Sequence, residues 1–503
     1  MKIKNLVISL IIVALCFNLF CVSAFAVSED DMINIINSPE MQDYINHAMD
    51  IEKAPGVSIV MTNGESSVYS QYGFADIKGN KYANKSTLYE LGSTTKAFTA
   101  LAILILDDEG IISIDKNISD YIPWFNVNYN GENVEITIKQ LLHHSSGLPA
   151  KLENDFPEGT TDDLLEETAR LTDSASLNFY PGTQYEYSNI GYDFLAYLLE
   201  YVTEDKFEDF VANRILIPLG MTNSSFSTNI AYKSDNMSKG YSQFFGKAVE
   251  YDAPRYQGCL ADGYLITSAE DMNLWLIAQL GKGDVPEQLA RLIEKSHVID
   301  EDNTVIIRSS SNRNYYYTYG WEVSADGSII YHNGMNPNYA SDIVISMEKN
   351  TATCVLSNIS GYHAVHIGNA LTRKLYDKEL SEPYAYNAKV DMYASIAICV
   401  ELILIICCII LIATQNARIA KKVITNTRKE RIIFISKLVI LLVLAVFIAI
   451  WPYLIEYSYY MVIVWMPKTL FICSAGALIL VILMIVLSIT KMLAIRSMTV
   501  KKF

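Results

Sequence analysis

Three runs of apolar residues close the chain, at about 392–413, 432–454 and 470–489, and no other feature limits its fold so strongly. Each approaches the ~20 residues that a helix needs to cross hydrocarbon. A helix is the expected form, because without water the backbone must satisfy its hydrogen bonds within the segment. Arg418, Lys421, Lys422, Arg428, Lys429 and Arg431 lie between or beside the first two runs. Between the second and third, Lys468 is the lone basic residue, among Tyr457, Tyr459, Tyr460 and Trp465. Lys491, Arg496, Lys501 and Lys502 follow the third. Basic loops stay in the cytoplasm, so 414–431 and the tail at 490–503 are expected inside and the preceding domain outside. Glu401 falls within the first run, where a charge is costly and often functional. A protonated or helix-paired glutamate that fixes packing is the plainer reading.

The other end of the chain agrees. Lys2 and Lys4 precede an apolar stretch from Leu6 to Phe20, and Ala24-Phe25-Ala26 supplies small residues for cleavage. That is the pattern of a secretory signal peptide over 1–26, with an uncleaved anchor helix as the alternative. Bulky Phe20 before Cys21 argues against lipoprotein processing. The formal charge is −16, yet residues 391–503 hold 12 Lys+Arg against 4 Asp+Glu, so the acidity is concentrated in residues 27–390. Such a balance argues against a nucleic-acid partner, since phosphate contact needs a basic face.

Within the exterior part, 57–61 and 67–72 read as two strands around Asn63-Gly64, a hairpin signal. Strand-like runs return at 315–323, 329–332, 342–347 and 353–356, and 363–376 reads as a closing helix. The middle, about 88–306, is patterned for helices and loops. Strands from both ends around a helical insertion predict an α+β layer domain with an all-α lobe over 27–378. A juxtamembrane linker is expected at 379–391, before a membrane domain over 392–489. Clefts between such lobes favour active sites. Cys259 and Cys354, the exterior cysteines, form no metal spacing; they are expected either to pair or to stay as buried thiols. No metal or other cofactor is implied.

Gly-x-Ser-x-Gly, His-Glu-x-x-His, a Walker loop and Cys-x-x-Cys are all absent. What remains is Tyr89-Glu90-Leu91-Gly92-Ser93-Thr94-Thr95-Lys96, leading into an apolar helical stretch. Residues i and i+3 share a helix face, so Ser93 and Lys96 point the same way. A lysine partly buried at a helix start is pushed towards its neutral form. A neutral lysine can take the proton of a serine hydroxyl and make it a nucleophile. Ser-x-x-Lys alone is weak, since Ser488 and Lys491 repeat it at the end of an apolar run. Tyr-x-Asn and His-x-Gly also recur, but Tyr187-Ser188-Asn189 and His332-Asn333-Gly334 stand in suitable places, one in the helical middle and one on a late strand.

Taken in order, these three motifs resemble the serine β-lactamase and penicillin-binding-protein superfamily, in its class C β-lactamase and D-aminopeptidase branch. Leu141-Leu142-His143-His144-Ser145-Ser146-Gly147-Leu148 and the segment from Tyr264 to Met272 add to the likeness, which covers about 30–378. With the three apolar runs, the chain looks most like the membrane-anchored colibactin-type peptidases, which remove an N-acyl-D-asparagine cap from a precursor outside the membrane. The resemblance implies an antiparallel sheet flanked by helices, and Ser93 as the acylated residue. It gives Lys96 and Tyr187 the proton transfers, and Asn189 the task of holding Lys96 and the substrate amide. His332 would shape the strand edge and balance charge beside Gly334. Backbone N–H groups of Ser93 and Met335 would form the oxyanion hole, and Asn336 would touch a D-asparagine side chain. His143 and His144 are expected as loop packing near the cleft. Two departures stand out: Asn189 replaces that group's serine, and an expected pocket histidine is missing, with Cys259 nearest its place. The expected partners are small-molecule or acyl-peptide substrates, including lipid-tailed ones, and membrane lipid. A D,D-carboxypeptidase, β-lactamase or esterase remains an alternative, as does a non-catalytic surface sensor or wall-binding protein.

Overall fold

The computed structural model describes residues 27–161, 163–226, 231–300, 305–310, 313–420 and 427–500. The leader expected over 1–26 lies outside the described residues, as do Lys421, Lys422, Lys501 and Lys502. The expected hairpin forms where its turn residues require it. Gly64 takes φ 84°, and Asn63 Oδ1 accepts from the N–H groups of Glu65 and Ser66. Strands Gly56–Thr62 and Ser67–Asp76 run antiparallel from this turn.

Among the described residues these two belong to a nine-stranded sheet. From one edge its order is Ile306–Ser310, Arg313–Tyr317, Glu322–Ser324, Ile329–Asn336, Tyr339–Ser346, Thr351–Ser357, Gly56–Thr62, Ser67–Asp76 and Lys81–Tyr82. Every neighbouring pair is antiparallel. The single strand expected at 315–323 is two strands, because the chain turns at Gly320 (φ 81°) and Thr318 N–H donates to the Trp321 carbonyl. On one face, helices Glu29–Asn37, Pro39–Glu52 and His363–Leu375 bury Met32, Ile36, Met41, Ile45, Ile367 and Leu371 against Val57, Ile59, Met61 and Val355. Each such side chain contributes roughly 1.5–3 kcal/mol when fully buried. Helix Lys96–Asp108 is buried along its length from Lys96 to Leu106, with Phe98 stacked on Trp275 at 3.8 Å. The helical middle of the chain includes Asn189–Thr203, Ala269–Gln279 and Glu287–Ser296. Cys259 and Cys354 are both buried free thiols, which decides between the two expectations.

Asp342, on strand Tyr339–Ser346, is a buried group outside the site, and its Oδ2 has no hydrogen-bond partner among the described residues. A Cβ at Gly368 would collide with that oxygen, so the closing helix needs glycine there. Burial, reinforced by Glu322, raises the Asp342 carboxyl well above the usual range. The folded protein then keeps a proton that the unfolded chain releases above ~3.9. Stability from this group is complete below that pH and falls by about 1.4 kcal/mol per pH unit up to the folded pKa. Asp342→Asn is therefore expected to melt with the wild type near pH 4 and several degrees above it near pH 8. Equal melting temperatures at both pH values would contradict this assignment.

Residues 1–241 with 250–385 cluster as one unit, and residues 242–249 with 386–503 as a second. The second contains helices Asn387–Ala420, Thr427–Ile450 and Lys468–Val500. Their apolar parts, Asn387–Thr414, Arg428–Ile450 and Lys468–Leu493, are long enough to cross a membrane. The first helix begins at Asn387, earlier than expected, which shortens the linker. Asp391 on that helix is fully buried, and the N–H groups of Phe245 and Gly246 and the Thr469 hydroxyl donate to it. Glu401 packs on the third helix: Cys473 Sγ lies 3.5 Å from Oε1, and a Cβ at Gly476 would strike Oε2. The plainer reading of Glu401, a helix-paired packing residue, matches this arrangement.

Candidate active site

Ser93 sits where a strand gives way to a helix. Strand Leu88–Glu90 ends, Gly92 takes φ 60°, and a 3-10 turn over Gly92–Thr95 runs into helix Lys96–Asp108. The hydroxyls of Thr94 and Ser341 both donate to the Leu91 carbonyl, at 3.1 and 2.5 Å, which fastens the turn to the central sheet. Gly92, Thr94 and Thr95 are buried, whereas Ser93 is partly open to solvent. Lys96 is fully buried. Its Nζ lies 3.3 Å from Ser93 Oγ and donates to Asn189 Oδ1 and the Asp262 carbonyl, each at 2.7 Å. Burial lowers the Lys96 pKa, and nearby Asp262, Asp193 and Glu153 oppose that shift without cancelling it. With both N–H groups spent on these acceptors, a neutral amine has its lone pair left for the Ser93 proton.

Tyr187 comes from the segment before helix Asn189–Thr203. That segment is laid down by the 141–148 run: Gly182 N–H donates to the Ser145 carbonyl, Glu186 N–H to the His144 carbonyl, and Ser188 N–H to His144 Nδ1. The His144 ring lies among Tyr187, Tyr192 and Tyr317, with centroids 4.3, 5.0 and 4.4 Å away. Burial keeps that imidazole neutral. Lys96 Nζ stands 4.9 Å from the centre of the Tyr187 ring. The Tyr187 hydroxyl is buried and makes no complete hydrogen bond among the described residues. Burial raises its pKa well above the ordinary phenol value, and only the neighbouring Ser93 side chain opposes this among its main influences. It is therefore protonated, and available to donate to a leaving nitrogen.

The third motif lies on strand Ile329–Asn336, which pairs with Glu322–Ser324 only through Tyr331 and Ile330. From His332 onward that side of the strand is open to the Ser93 turn. A Cβ on Gly334 would collide with the Leu91 carbonyl and come within 2.9 Å of Ser93 N. A Cβ on Gly92 would come within 2.5 Å of Met335 N. The two glycines thus let the backbone N atoms of Ser93 and Met335 share one small space, as the oxyanion reading requires.

Two expected roles need correction. His332 does not balance charge: its Nε2 is 2.9 Å from the Tyr317 hydroxyl, its Nδ1 is 2.7 Å from the Asn333 carbonyl, and burial lowers its pKa to about 3. The ring is neutral, with both nitrogens occupied. Asn336 is 2% exposed, and its amide donates to Glu90 Oε2 at 2.5 Å and the Gly263 carbonyl at 2.9 Å. Its donors are engaged within the protein rather than free for a ligand. The Tyr232 hydroxyl also donates to Glu90. Cys259 is buried, and burial with Asp193 and Asp262 nearby keeps its thiol protonated.

Glu90, Glu153, Asp193, Asp262 and Tyr317 were missed from the sequence. Asp193 is fully buried, with no complete hydrogen bond at either oxygen among the described residues, and burial raises its pKa well above the usual range against the nearby Asp262 backbone N–H. Asp262 is raised to about 6 by burial, although Lys96 pulls it down. Glu90 was visible three residues before Ser93, but nothing in the sequence linked it to Asn336.

The arrangement can perform acyl transfer. In such a transfer Lys96 Nζ would take the Ser93 proton as Oγ bonds to a carbonyl carbon, and the N–H groups of Ser93 and Met335 would receive the oxyanion. The carbon–nitrogen bond would then break as Tyr187, resupplied through Lys96, protonates the leaving nitrogen. Water would repeat the sequence on the Ser93 ester and free the acid. No group of His, Cys, Asp and Glu among the described residues has the placement to hold a metal.

The family described as beta-lactamase matches residues 41–377. The chain belongs to the beta-lactamase family. As a member of it, it is a serine hydrolase with the mixed helix-and-sheet fold found in penicillin-binding proteins. Protein flp of Staphylococcus aureus strain COL is 30% identical to this beta-lactamase-family chain over 463 residues, covering 89% of this chain and 91% of its own. That share cannot be reached without including part of the apolar helices. The octameric penicillin-binding protein homologue from Pyrococcus abyssi superposes with TM-score 0.61 and 25% identity over 72% of this chain and 81% of its own. D-alanine carboxypeptidase AmpC from Burkholderia cenocepacia gives 0.54 and 19%, over 67% and 100%. At that identity the second structure speaks for the fold alone.

Proposed function

We propose that this chain is a membrane-tethered serine peptidase that cleaves N-acyl-D-amino-acyl amides outside the cytoplasm, releasing an acyl-D-residue cap from a peptide-like precursor through an ester on Ser93. The charge of the site carries this reading. Lys96 is enclosed by Asp193, Asp262 and Glu153, and His332 on the strand edge is neutral. The principal charges bearing on Tyr187, from Asp262, Glu153 and Glu322, are all acidic. Among the described residues, Lys96 is held by Asn189 and the Asp262 carbonyl, and Arg255 lies against Glu90 and the Tyr232 ring. Neither is spare for the free carboxylate that a D,D-carboxypeptidase or β-lactamase substrate carries. At an effective dielectric of ~20, a carboxylate ~8 Å from one net negative charge loses about 2 kcal/mol, or ~30-fold in selectivity. A D-asparagine carboxamide can meet Asn336 at Oδ1 alone, because both Nδ2 donors are engaged by Glu90 and Gly263.

A panel of N-myristoyl-D-residue-glycine substrates, each made with the glycine as its amide and as its free acid, tests this reading. The amides should turn over at least tenfold faster, with D-asparagine among the best. Faster cleavage of D-Ala-D-Ala acids and penicillins would favour the carboxypeptidase reading. Absence of any preference for D over L residues would sink the proposal. Sidedness follows from the basic loops, and protease treatment of intact spheroplasts should degrade the hydrolase domain and spare the tail.

A further inference from the structure

Helix Asn189–Thr203 begins without the usual local support. Its N-cap, Ser188, makes no side-chain cap hydrogen bond, and its first turn contains no acidic residue. The first N–H groups of a helix have no intrahelical acceptor and need one from elsewhere. Here the acceptor arrives from a segment 36 positions upstream: Asn189 N–H donates to Glu153 Oε1 at 2.9 Å. The other carboxylate oxygen, Oε2, accepts from Asn189 Nδ2, also at 2.9 Å. Glu153 lies in the short 3-10 turn Ala150–Asp155, directly after the 141–148 run.

The bidentate contact has a consequence for Lys96. A side-chain amide can present either its oxygen or its NH2 to a neighbour, and the hydrogen-bond network decides which. With Nδ2 held by Glu153, Oδ1 faces Lys96 Nζ at 2.7 Å. Donation of the amide N–H to an ionised carboxylate also polarises the carbonyl into a better acceptor. The amine is thereby held at one rotamer, 3.3 Å from Ser93 Oγ.

We propose that Glu153 is a positioning residue for acylation: its carboxylate caps the helix that follows Tyr187, fixes the orientation of the Asn189 amide and, through that amide, aims Lys96 at Ser93. The inference concerns the acyl-transfer chemistry and is independent of which substrate the site prefers. The charged and titratable groups bearing on Glu153 are Asp262 and Lys96, with Asp193, Cys259 and Tyr187 completing the surrounding cluster. Burial raises the Glu153 carboxyl to about 7, against the pull of its two Asn189 hydrogen bonds and Lys96. As pH falls through that range the carboxylate gains a proton and loses acceptor strength towards Asn189, so acylation should decline on the acid side.

The test is pre-steady-state acylation of the full-length protein in detergent by p-nitrophenyl butyrate, followed by the burst of p-nitrophenol from about pH 5 to 9. Glu153→Gln should lower the burst rate ~10–100-fold at pH 8, leave half-saturation nearly unchanged and displace the acid limb. Glu153→Asp keeps the charge and should recover part of the rate. Melting curves of each variant, compared with the wild type, separate positioning from unfolding. Wild-type burst rates and an unchanged pH profile in Glu153→Gln would overturn the inference, as would Glu153→Asp acylating no faster than Glu153→Gln. A rate loss matched by a proportionate loss of folded protein would also count against it. A wild type that this ester never acylates would instead remove the hydrolase chemistry on which the inference rests.

Discussion

Ser93→Ala should lower turnover by ~10⁴-fold or more, because the route through an ester has no second nucleophile to replace it. Stability should be little changed. Ser93 is partly open to solvent, and its side chain meets Lys96 at a long 3.3 Å. Serine is also a cleaner target than its partner. Lys96 sits beside Asp193, Asp262 and Glu153, and removing one member of a buried charge cluster leaves the others uncompensated, commonly at ~3–5 kcal/mol. A Lys96 variant would confound lost chemistry with lost folding. Turnover and melting temperature measured together on Ser93→Ala avoid that ambiguity; substantial residual turnover would contradict the assignment.

Gly334→Ala is the second large expected effect, and it adds a single methyl group. That methyl would strike the Leu91 carbonyl and crowd Ser93 N at 2.9 Å. Neither neighbour is a flexible side-chain end: Leu91 is clamped by the Thr94 and Ser341 hydroxyls, and Ser93 N belongs to the turn. The strand and the turn must therefore separate, and the two oxyanion donors with them. Loss of one such donor costs ~10²–10³-fold in kcat; disturbing both should reach or exceed that range. KM should change less, since the donors act on charge that develops in the transition state. Near-normal kcat in a folded Gly334→Ala protein would show that the strand edge and the Ser93 turn do not form the oxyanion site together.

The features with a local period or a fixed offset were legible in the sequence. The spacing of Ser93 and Lys96 holds even though Ser93 precedes the α-helix proper, because the 3-10 turn keeps residues three apart on one side. Tyr187-x-Asn189 and the strand carrying Gly334 were readable from order and context, although that strand runs on to Asn336 rather than ending at the glycine. The apolar helices were readable from length alone. What escaped depends on contacts that no local pattern records. Glu153 reaches Asn189 from a different segment, and Asp193 looks like one more polar position in an otherwise apolar helix. Tyr317 meets His332 only because Gly320 breaks the expected single strand in two. The charge assigned to His332 failed for a related reason: its motif places the ring at the strand edge but does not reveal that burial and Tyr317 hold it neutral. Asn336 was placed correctly beside the site but was assigned to a ligand, while its donors face Glu90 and Gly263.

The most direct test of the central claim is to trap the ester itself. An N-myristoyl-D-asparagine p-nitroanilide, mixed with the full-length protein and quenched in acid within milliseconds to seconds, should leave one acyl group per chain. Tandem mass spectrometry should locate that added mass on Ser93. The same adduct should be absent from Ser93→Ala. Turnover of the substrate with no adduct at any quench time, or an adduct that persists at another residue in Ser93→Ala, would contradict the account.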